Sequence, residues 1–449
     1  MTKYMKLLAD LEAWIDSGKQ GEKLPSIRML ADQYGYSHST IIRALQELEQ
    51  RHLIYSIPKS GYYIVKSRTK AKAQHDTSGV LDFISASPDP DIFPYVDFQH
   101  CMNKAIDTYR SELFMYGTPS GLPALIQVIQ KQLTAFQIFV NTSQIVITSG
   151  VQQALAILSE LEFPDGRQKV LIEQPSYHLL IDLLETRGIP VLGINRTAEG
   201  IDLIELERLF RTESIKFFYT IPRFHNPLGS SYDEETKRRI AGLAEQYNVY
   251  IVEDDYMGDF EQNSKSDPIY AYSQTSRVIY LKSYSKIIFP GLRVAAAVLP
   301  EPLIDAFTRY KRILDIDSAA MSQAALEIYI KSGMFARHRT RVISSYAEKA
   351  RTLDIALKQL AVLHPELVAY STPAQPMIHN HFVLKKRALT DKLISALKQK
   401  SILIGSINSH YLHGFEQQPI VKLNVSQLAA GQIQTGMEQL SAVLARMNA

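Results

Sequence analysis

The sequence predicts an α/β protein with a small, separate N-terminal domain. Six short apolar runs rich in β-branched residues alternate with helical stretches between residues 145 and 299. This alternation is typical of a mixed, mostly parallel sheet with helices on both faces. From about residue 325 the chain becomes helix-rich, with further strand patterns near 378–384 and 419–425, which predicts a small C-terminal α+β subdomain. A chain of 449 residues is long enough for two or three domains.

Composition places the chain among globular proteins, with 46% hydrophobic and 21% charged residues. No apolar run approaches the ~20 residues that span a bilayer, and the N-terminus has no signal-peptide core. The single cysteine, Cys101, excludes a disulfide framework. We therefore expect a cytoplasmic protein with no membrane partner.

Charge is distributed unevenly along the chain. Residues 1–72 carry twelve Lys/Arg and seven Asp/Glu, a net charge of +5, whereas the whole chain carries +3. A basic module on a mildly acidic body favours contact with a polyanion such as nucleic acid. A solvated charged surface explains the charge alone equally well. Residues 66–80 are polar and lack apolar periodicity, so we expect them to link an N-terminal domain, 1–65, to a body, 81–449.

Three helix patterns and a hairpin pattern make up the N-terminal domain. The first helix pattern covers residues 3–17, Ser26 can cap a second helix that ends at Gly35, and Ser37 can cap a third. The segments LIYSI and YYIV flank the turn PKSG and predict a β-hairpin. Elements in this order predict a winged helix-turn-helix, whose third helix enters the major groove of DNA. A three-helix protein-binding module is the alternative, which the hairpin and the basic charge disfavour.

The outward-facing residues of these elements are the candidate DNA contacts. Arginine suits a guanine edge or a phosphate, small polar residues suit phosphates, and a glycine lets the wing approach the duplex. The candidates are Ser26 and Arg28 in the second helix, Ser39, Thr40 and Arg43 in the third, and Lys59 and Gly61 in the wing.

The segment from GEKLPSIRMLA to SGYYIV resembles the GntR family of bacterial regulators almost end to end. The matching elements are G-x-x-LPS-x-R-x-LA, the Ser-Thr pair with the following Arg-Ala-Leu, and S-G-Y-Y. The resemblance implies that the protein binds a two-half-site operator in double-stranded DNA as a dimer. It carries over to Arg28, Thr40, Arg43 and Gly61 as DNA contacts.

In the body, polar residues follow the predicted strands, at the edge where open α/β sheets bind ligands. After IVIT, Gly150 allows a tight turn before a helix N-terminus, which can hold an anion. Tyr177 follows VLIE, Asn226 follows FFYTI in a Pro/Gly turn, and Asp254 follows VYIVE. Taken alone, each residue also has an ordinary structural explanation. These explanations are a tight turn for Gly150, core packing for Tyr177, turn stabilisation for Asn226 and a helix cap for Asp254. No His/Asp cluster has metal-ligand spacing, so a metal site is not expected.

The segment KSYSKIIFPGLR follows the next predicted strand, VIYL. Lys286 lies in it among apolar residues and near Arg293, an environment that lowers the pKa of a lysine amine and lets it form a Schiff base. Ser283, Ser285 and Arg293 can hold a phosphate beside it. A lysine, a carboxylate, an aromatic ring and a phosphate cup together specify one cofactor, pyridoxal 5′-phosphate.

The strings ITSG-x-QQAL, HNP-x-G, IVEDDY and S-x-SK-x-x-x-PGLR resemble fold-type I aminotransferases, particularly the aminoadipate/kynurenine branch. The resemblance implies that Lys286 is the catalytic Schiff-base lysine and that Asp254 pairs with the pyridinium nitrogen. Tyr116, in MYGTPSGLPAL, is similar to the tyrosine that reaches the partner subunit's cofactor phosphate, which implies a homodimer. The other implied cofactor contacts are Tyr256 and Asn226 at the phenolic oxygen, Tyr177 on the ring, and Ser283, Ser285, Arg293 and the backbone of Gly150, Val151 and Gln152 at the phosphate.

A GntR-type domain on an aminotransferase-like body is the architecture of the MocR family of regulators, and the resemblance covers residues 1–65 and 82–445. It implies a transcriptional regulator that senses a small amine, an amino acid or a B6 vitamer through an aldimine of Lys286. Where related aminotransferases carry a carboxylate-binding arginine, this chain reads IVKLNVS, with Lys422 in that place. Lysine lacks the bidentate fork of arginine, so we expect weaker or different carboxylate binding by the effector.

Two other interpretations stay open. The chain keeps the asparagine of HNPLG, so a catalytically active aminotransferase that carries a DNA-binding domain is one alternative. The other is a DNA-binding protein whose body is a dimerisation scaffold without a cofactor. The sequence identifies neither the effector nor the operator.

Overall fold

The computed structural model describes residues 3–16, 23–50, 53–57, 61–64, 79–263, 266–275 and 277–448. The chain divides into two compact units. The N-terminal unit comprises Met1–Gln74, Pro94–Met115 and Met321–His338, and the sheet unit comprises His75–Phe93, Tyr116–Ala320 and Arg339–Ala449. Among the described helices, none has the length and apolar character needed to cross a membrane.

The start of the N-terminal unit is the winged helix-turn-helix that the sequence predicts. Its elements are α1 (Lys3–Asp16), α2 (Ile27–Tyr34), α3 (His38–Gln50), β1 (Ile54–Ile57) and β2 (Gly61–Ile64). Ser26 caps α2 by accepting a hydrogen bond from the Met29 N–H, and Gly35 ends it in the left-handed conformation at φ 64°. Glycine adopts this conformation without a steric penalty, which explains why the helix stops there.

One apolar core joins these helices to the hairpin. Leu11 of α1, Leu45 of α3 and Ile64 of β2 are all buried in it. The Glu49 carboxylate accepts hydrogen bonds from the Ser56 N–H at 3.0 Å and the Ser56 hydroxyl at 2.7 Å, which holds β1 against α3. The wing is therefore positioned by the same helix that carries the candidate base contacts.

The remaining helices and strands follow in chain order. The helices are α4 (Tyr95–Tyr109), α5 (Pro123–Thr134), α6 (Val151–Glu160), α7 (His178–Thr186), α8 (Leu203–Thr212), α9 (Glu234–Gln246), α10 (Glu301–Asp315), α11 (Ala320–Lys331), α12 (Met334–Leu363), α13 (Thr390–Lys398) and α14 (Ala430–Asn448). The strands are β3 (Leu81–Asp82), β4 (Ile145–Thr148), β5 (Lys169–Gln174), β6 (Val191–Thr197), β7 (Gly200–Ile201), β8 (Ile215–Thr220), β9 (Tyr250–Asp255), β10 (Val278–Ser283), β11 (Ala295–Val298), β12 (Val368–Ala369), β13 (His379–Leu384), β14 (Ile402–Leu403), β15 (Gly405–Ser406) and β16 (Ile420–Asn424).

The sheet unit is built on an eight-stranded sheet in the order β4-β11-β10-β9-β8-β5-β6-β7. Strands β10, β9, β8, β5 and β6 are parallel neighbours, whereas β11 runs antiparallel to β10 and β4. This confirms the predicted mixed, mostly parallel sheet. The six apolar runs correspond to β4, β5, β8, β9, β10 and β11. The sequence analysis missed β6, because that strand is only partly buried and carries polar residues.

A second sheet, β12-β13-β16-β15, is antiparallel and lies in the C-terminal part of the chain with α12, α13 and α14. This is the predicted small α+β subdomain. Lys422 lies on β16, where it pairs in register with His381 of β13 and Gly405 of β15.

Candidate functional site

Asp254 lies on β9, near the carboxyl end of the parallel strands, and its side chain is buried. One carboxylate oxygen accepts a hydrogen bond of 2.8 Å from the Tyr219 hydroxyl on the neighbouring β8. The other oxygen, Oδ1, is buried and has no hydrogen-bond partner among the described residues. Burial raises the pKa of Asp254 to about 7, although the hydrogen bond from Tyr219 opposes this rise. A protonated ring nitrogen would supply the missing donor, because a buried acceptor without a partner is costly.

Lys286 follows β10 and is largely enclosed by the protein. Its ammonium donates a hydrogen bond to the backbone carbonyl of Ala86. In the part of the chain that the structure describes, no carboxylate forms an ion pair with Lys286, and burial lowers the pKa of its amine to about 8. A lysine with this pKa is neutral in an appreciable fraction of molecules near pH 8, as nucleophilic attack on an aldehyde requires.

Gly150 and Arg293 form a cradle at the start of α6. Gly150 precedes the helix at φ 87°, and a Cβ atom built on it would lie 2.6 Å from Nη2 of Arg293. The same guanidinium donates to the Ser149 carbonyl at 2.7 Å. Val151 and Gln152 form the first turn of α6, so their backbone N–H groups and the guanidinium suit an anion such as a phosphate.

The two serines near Lys286 lie at the end of β10 and just beyond it. The Ser283 hydroxyl accepts a hydrogen bond of 3.2 Å from the Ser285 N–H, which fixes the turn that leads to Lys286. Tyr177 precedes α7, and its half-buried ring packs against the core of the main sheet. Burial and the charge of Asp254 together raise the pKa of Tyr177 to about 12, against the lowering effect of Arg293, so the ring lies near both charges. The predicted ring-stacking, carboxylate and phosphate contacts thus share one region.

Asn226 and Lys422 are in direct contact. The Lys422 ammonium donates a hydrogen bond of 2.7 Å to the Asn226 side-chain oxygen. Burial and, to a smaller extent, the positive charge of Lys286 together lower the pKa of Lys422 to about 8. The structure therefore brings the candidate effector residue, Lys422, to the candidate contact of the phenolic oxygen, Asn226.

Three neutral histidines lie in the electrostatic neighbourhood of Lys422. Burial and the charge of Lys422 lower the pKa of His379 and of His410 to about 3, and they lower the pKa of His178 as well. His410 packs against His178 with ring centroids 5.1 Å apart, and its Nδ1 lies 2.7 Å from the Ser176 carbonyl. The positive charge of this region therefore resides on its lysines.

Of two further predicted cofactor contacts, Tyr256 bonds other groups in this structure and Tyr116 is exposed. The Tyr256 hydroxyl donates to the Phe224 carbonyl at 2.8 Å and lies 3.2 Å from Nε2 of His379. Tyr116 is 82% exposed, so within its own chain it is available to a second molecule.

Sequence reasoning missed four residues that support the site. They are Tyr219, which bonds Asp254, the carbonyl of Ala86 at Lys286, and Phe224 and His379 around the Tyr256 hydroxyl. Tyr219 could have been found, because it is the second-last residue of β8, the strand beside β9. The Ala86 carbonyl has no signal in the sequence, since any residue supplies a backbone oxygen.

The winged helix presents most of its candidate contacts to solvent. Ser26, Arg28, Ser39 and Arg43 are exposed, and Thr40 is half-buried. The Arg43 guanidinium lies 5.2 Å from the ring of Tyr4, so one face of it is packed and the other edge is available. Gly61 has φ 115° at the start of β2, which favours glycine, and Lys59 lies outside the described residues.

The two parts define a class of protein: a winged helix-turn-helix fused to a fold-type I sheet whose strand ends carry a lysine, a carboxylate and an anion cradle. The family model "Aminotransferase class I and II" matches residues 92–440, and the model "Bacterial regulatory proteins, gntR family" matches residues 3–64. The chain belongs to the class I and II aminotransferase family and carries a gntR-family DNA-binding domain, the architecture of MocR-type transcriptional regulators.

Individual relatives agree with this assignment. The chain is 52% identical to the uncharacterized HTH-type transcriptional regulator YcxD of Bacillus subtilis (strain 168), over 98% of this chain and 99% of that protein. It is 28% identical to aromatic-amino-acid aminotransferase 1 of Thermococcus litoralis, over 66% and 72% of the two chains.

Solved structures show the same fold. LysN, an alpha-aminoadipate aminotransferase of Thermus thermophilus, is similar with 25% identity and a TM-score of 0.73, over 82% of this chain and 92% of that chain. A Pyrococcus horikoshii kynurenine aminotransferase is similar with 23% identity and a TM-score of 0.74, over 83% and 92%.

Proposed function

We propose that this transcriptional regulator holds pyridoxal 5′-phosphate at Lys286 and uses it to sense a small amine that carries an anionic group. The observation that carries the proposal is the position of the Lys422 ammonium. It is largely enclosed by the protein, it contacts Asn226, and it lies close enough to Lys286 for the charge of Lys286 to lower the pKa of Lys422.

The residues present fit the cofactor. The free Oδ1 of Asp254 suits a protonated ring nitrogen, and the cradle of Gly150 and Arg293 suits a phosphate. When bound, the cofactor supplies an aldehyde carbon to which the amine of Lys286 and, in exchange, the amine of an effector can be joined. Tyr177 is the residue that we propose to cover the ring, and Asn226 and Tyr256 to approach its phenolic oxygen. Ser283, Ser285, Val151 and Gln152 would complete the phosphate contacts.

The charges around Lys422 favour an anionic partner. Among the described residues, no carboxylate is paired with Lys422, and an ammonium taken out of water without a counter-charge is costly. A carboxylate on the effector would satisfy it, whereas a second ammonium would be repelled by Lys422 and Lys286. An amino acid or a similar anionic amine therefore fits better than a diamine or a plain alkylamine.

The test is a spectral titration of the cofactor-loaded protein with anionic amines, plain alkylamines, diamines and B6 vitamers. We expect anionic amines to bind at least about tenfold more tightly than alkylamines of equal length, as a charge-assisted hydrogen bond predicts. Lys422→Met should abolish this preference. The control, Lys385→Met, removes an exposed lysine that donates to the Pro365 carbonyl, and it should keep the preference.

Two results would contradict the proposal. An unchanged preference for anionic amines in the Lys422→Met variant would exclude Lys422 as the effector contact. A wild-type protein that retains no pyridoxal phosphate after the unbound cofactor is removed would exclude the cofactor itself.

We further propose a homodimer whose two N-terminal domains, residues 1–65, bind two half-sites of double-stranded DNA. The exposure of Tyr116 supports its contact with the partner's cofactor phosphate. Ser26, Arg28, Ser39, Thr40, Arg43, Lys59 and Gly61 are the proposed DNA contacts. Residues 66–80 would link each domain to a body of residues 81–449.

Transamination is a second candidate, favoured by the lowered pKa of Lys286 together with the retained Asp254 and Asn226. A lysine that is partly neutral can move a proton between carbon atoms as well as attack an aldehyde. Repeated formation of keto acid from an amino donor, measured over many turnovers, would support an enzyme. A single conversion per site would support a sensor.

A further inference from the structure

A buried carboxylate beneath the site holds the loop that carries Asn226. This loop, residues 221–232, connects β8 to the residues before α9, and we call it the Asn226 loop. The carboxylate belongs to Glu173 on β5, whose side chain is fully buried. Its Oε2 accepts a hydrogen bond of 3.0 Å from the Ile221 N–H at the start of the loop. Its Oε1 accepts one of 2.5 Å from the Tyr232 hydroxyl at the end.

The middle of the loop is close to the same carboxylate. Nε2 of His225, the residue before Asn226, lies 3.2 Å from Oε2 of Glu173. The Thr220 hydroxyl, at the end of β8, donates to Oε1 at 2.7 Å. The Glu173 side chain on β5 therefore contacts the start, the middle and the end of the Asn226 loop.

Glu173 carries a negative charge inside the protein. Burial raises the pKa of Glu173, but the positive charge of Arg196 and the hydrogen bond from Tyr232 outweigh this rise and hold the pKa well below its usual range. Arg196 forms a 2.6 Å ion pair with Glu173, and its guanidinium lies 3.5 Å from the ring centroid of Tyr232. Burial and Arg196 lower the pKa of His225 to about 4, so this histidine is neutral. Hydrogen bonds to a buried charge are stronger than neutral ones, which makes the anchor stiff.

The loop is also closed by its own backbone. The Tyr232 N–H donates to the Pro222 carbonyl, and the His225 N–H donates to the Ser230 carbonyl, both at 2.8 Å. A loop closed in this way moves as one body. Any displacement of its ends from Glu173 therefore displaces Asn226.

We propose that Glu173 is a positioning residue that fixes Asn226 between the cofactor's phenolic oxygen and Lys422. The inference rests on the proposed function for the cofactor contact, whereas the anchoring of the loop by Glu173 is independent of it. In this proposal Glu173 acts through the Asn226 loop, which its carboxylate contacts, and not by binding the cofactor or the effector itself.

The test removes one donor and keeps the buried charge pair. Glu173→Gln would leave Arg196 buried without its counter-charge and can prevent folding, so Tyr232→Phe is the working variant. The probe is pyridoxamine 5′-phosphate, which carries the phenolic oxygen and forms no bond to Lys286. We expect Tyr232→Phe to raise its dissociation constant about threefold, and Asn226→Ala about three- to tenfold.

A double-mutant cycle separates positioning from general loosening. In an Asn226→Ala background, Tyr232→Phe should have no further effect on the dissociation constant, since the positioned side chain is already absent. The control Tyr247→Phe removes a hydroxyl that donates to another carboxylate, Glu207, at 2.9 Å, and it should leave binding unchanged. Equal weakening in both backgrounds, or none in either, would overturn the proposal.

Hydrogen–deuterium exchange of the cofactor-free chain tests the anchor directly. We expect Tyr232→Phe to accelerate amide exchange in residues 221–232 and to leave β9 unchanged. Unchanged exchange in this loop would overturn the anchoring role. Failure of the wild-type protein to bind the probe would instead refute the proposed cofactor, and the exchange result would still decide the role of Glu173.

Discussion

Substituting Gly150 tests the phosphate cradle at its tightest point. Gly150 has φ 87° and ψ 164°, a region that is essentially restricted to glycine. Gly150→Ala therefore strains the backbone by about 1–3 kcal/mol. Its new Cβ would also lie 2.6 Å from Nη2 of Arg293, so the guanidinium must leave the Ser149 carbonyl. Loss of one charge-assisted hydrogen bond to the phosphate costs about 1.5–3 kcal/mol, which corresponds to a roughly 10- to 150-fold weaker affinity for the cofactor.

Two measurements check the Gly150→Ala prediction. Denaturant unfolding of the cofactor-free chain reports the backbone strain, and equilibrium titration with pyridoxal phosphate reports the loss of affinity. The control is Gly242→Ala in α9, where a new Cβ would meet no atom within 4 Å. It should leave cofactor affinity unchanged and, as a glycine-to-alanine change in a helix, slightly raise stability. Wild-type affinity and stability in Gly150→Ala would refute the cradle.

The other predictions concern Lys422, the winged helix and the dimer. Lys422→Met should stabilise the cofactor-free chain at pH 7 by about 1–3 kcal/mol. As the pH rises from 8 to 10.5, the free energy of unfolding of the wild type should increase until it equals that of the variant. In this range Lys422 is protonated in the unfolded chain but largely neutral in the folded one. Urea unfolding at several pH values measures this change. For the winged helix, the probe is a DNA fragment that the wild-type protein selects from random sequence. Arg43→Ala should weaken binding to this fragment about tenfold or more and leave the cofactor spectrum unchanged. Unaltered affinity would mean that α3 does not read the groove. Tyr116→Ala should weaken cofactor affinity about three- to tenfold, whereas Phe139→Ala, another exposed aromatic substitution, should not; equal effects would contradict a specific role.

The main sheet could be predicted because parallel strands that are buried on both faces consist of continuous runs of apolar residues. All four residues of β4 and all six of β8 are buried, and both were located from sequence to within about two residues. Edge and short strands have no such signature. Strand β6 mixes buried and exposed positions, and β7 has only two residues, so their hydrophobicity does not distinguish them from loops.

The site could be predicted as a set of residue types but not as a network. Asp254 lies near the end of β9 and Lys286 follows β10, and these strands pair in register, so topology alone brings the two residues to one edge. The contact between Asn226 and Lys422 joins residues 196 positions apart and depends on how the C-terminal sheet meets the main sheet. The periodicity of a sequence predicts local elements and cannot predict a contact between residues so far apart in the chain. The buried charge of Glu173 was missed for the same reason, since its partners come from three other segments.

If Lys286 holds the cofactor and Lys422 the effector, as proposed, the two lysines couple the binding of the two ligands. Part of the lowered pKa of Lys422 comes from the charge of Lys286. Joining the cofactor to the amine of Lys286, as proposed, alters the charge that Lys422 faces and so changes its hold on an anion. By linkage, an anion at Lys422 must change cofactor affinity by the same factor. The contact between Lys422 and Asn226 provides a second route, because Asn226 is the residue that we propose to contact the cofactor. A receptor arranged in this way needs no turnover to report its effector, since occupancy of one subsite already alters the free energy of the other.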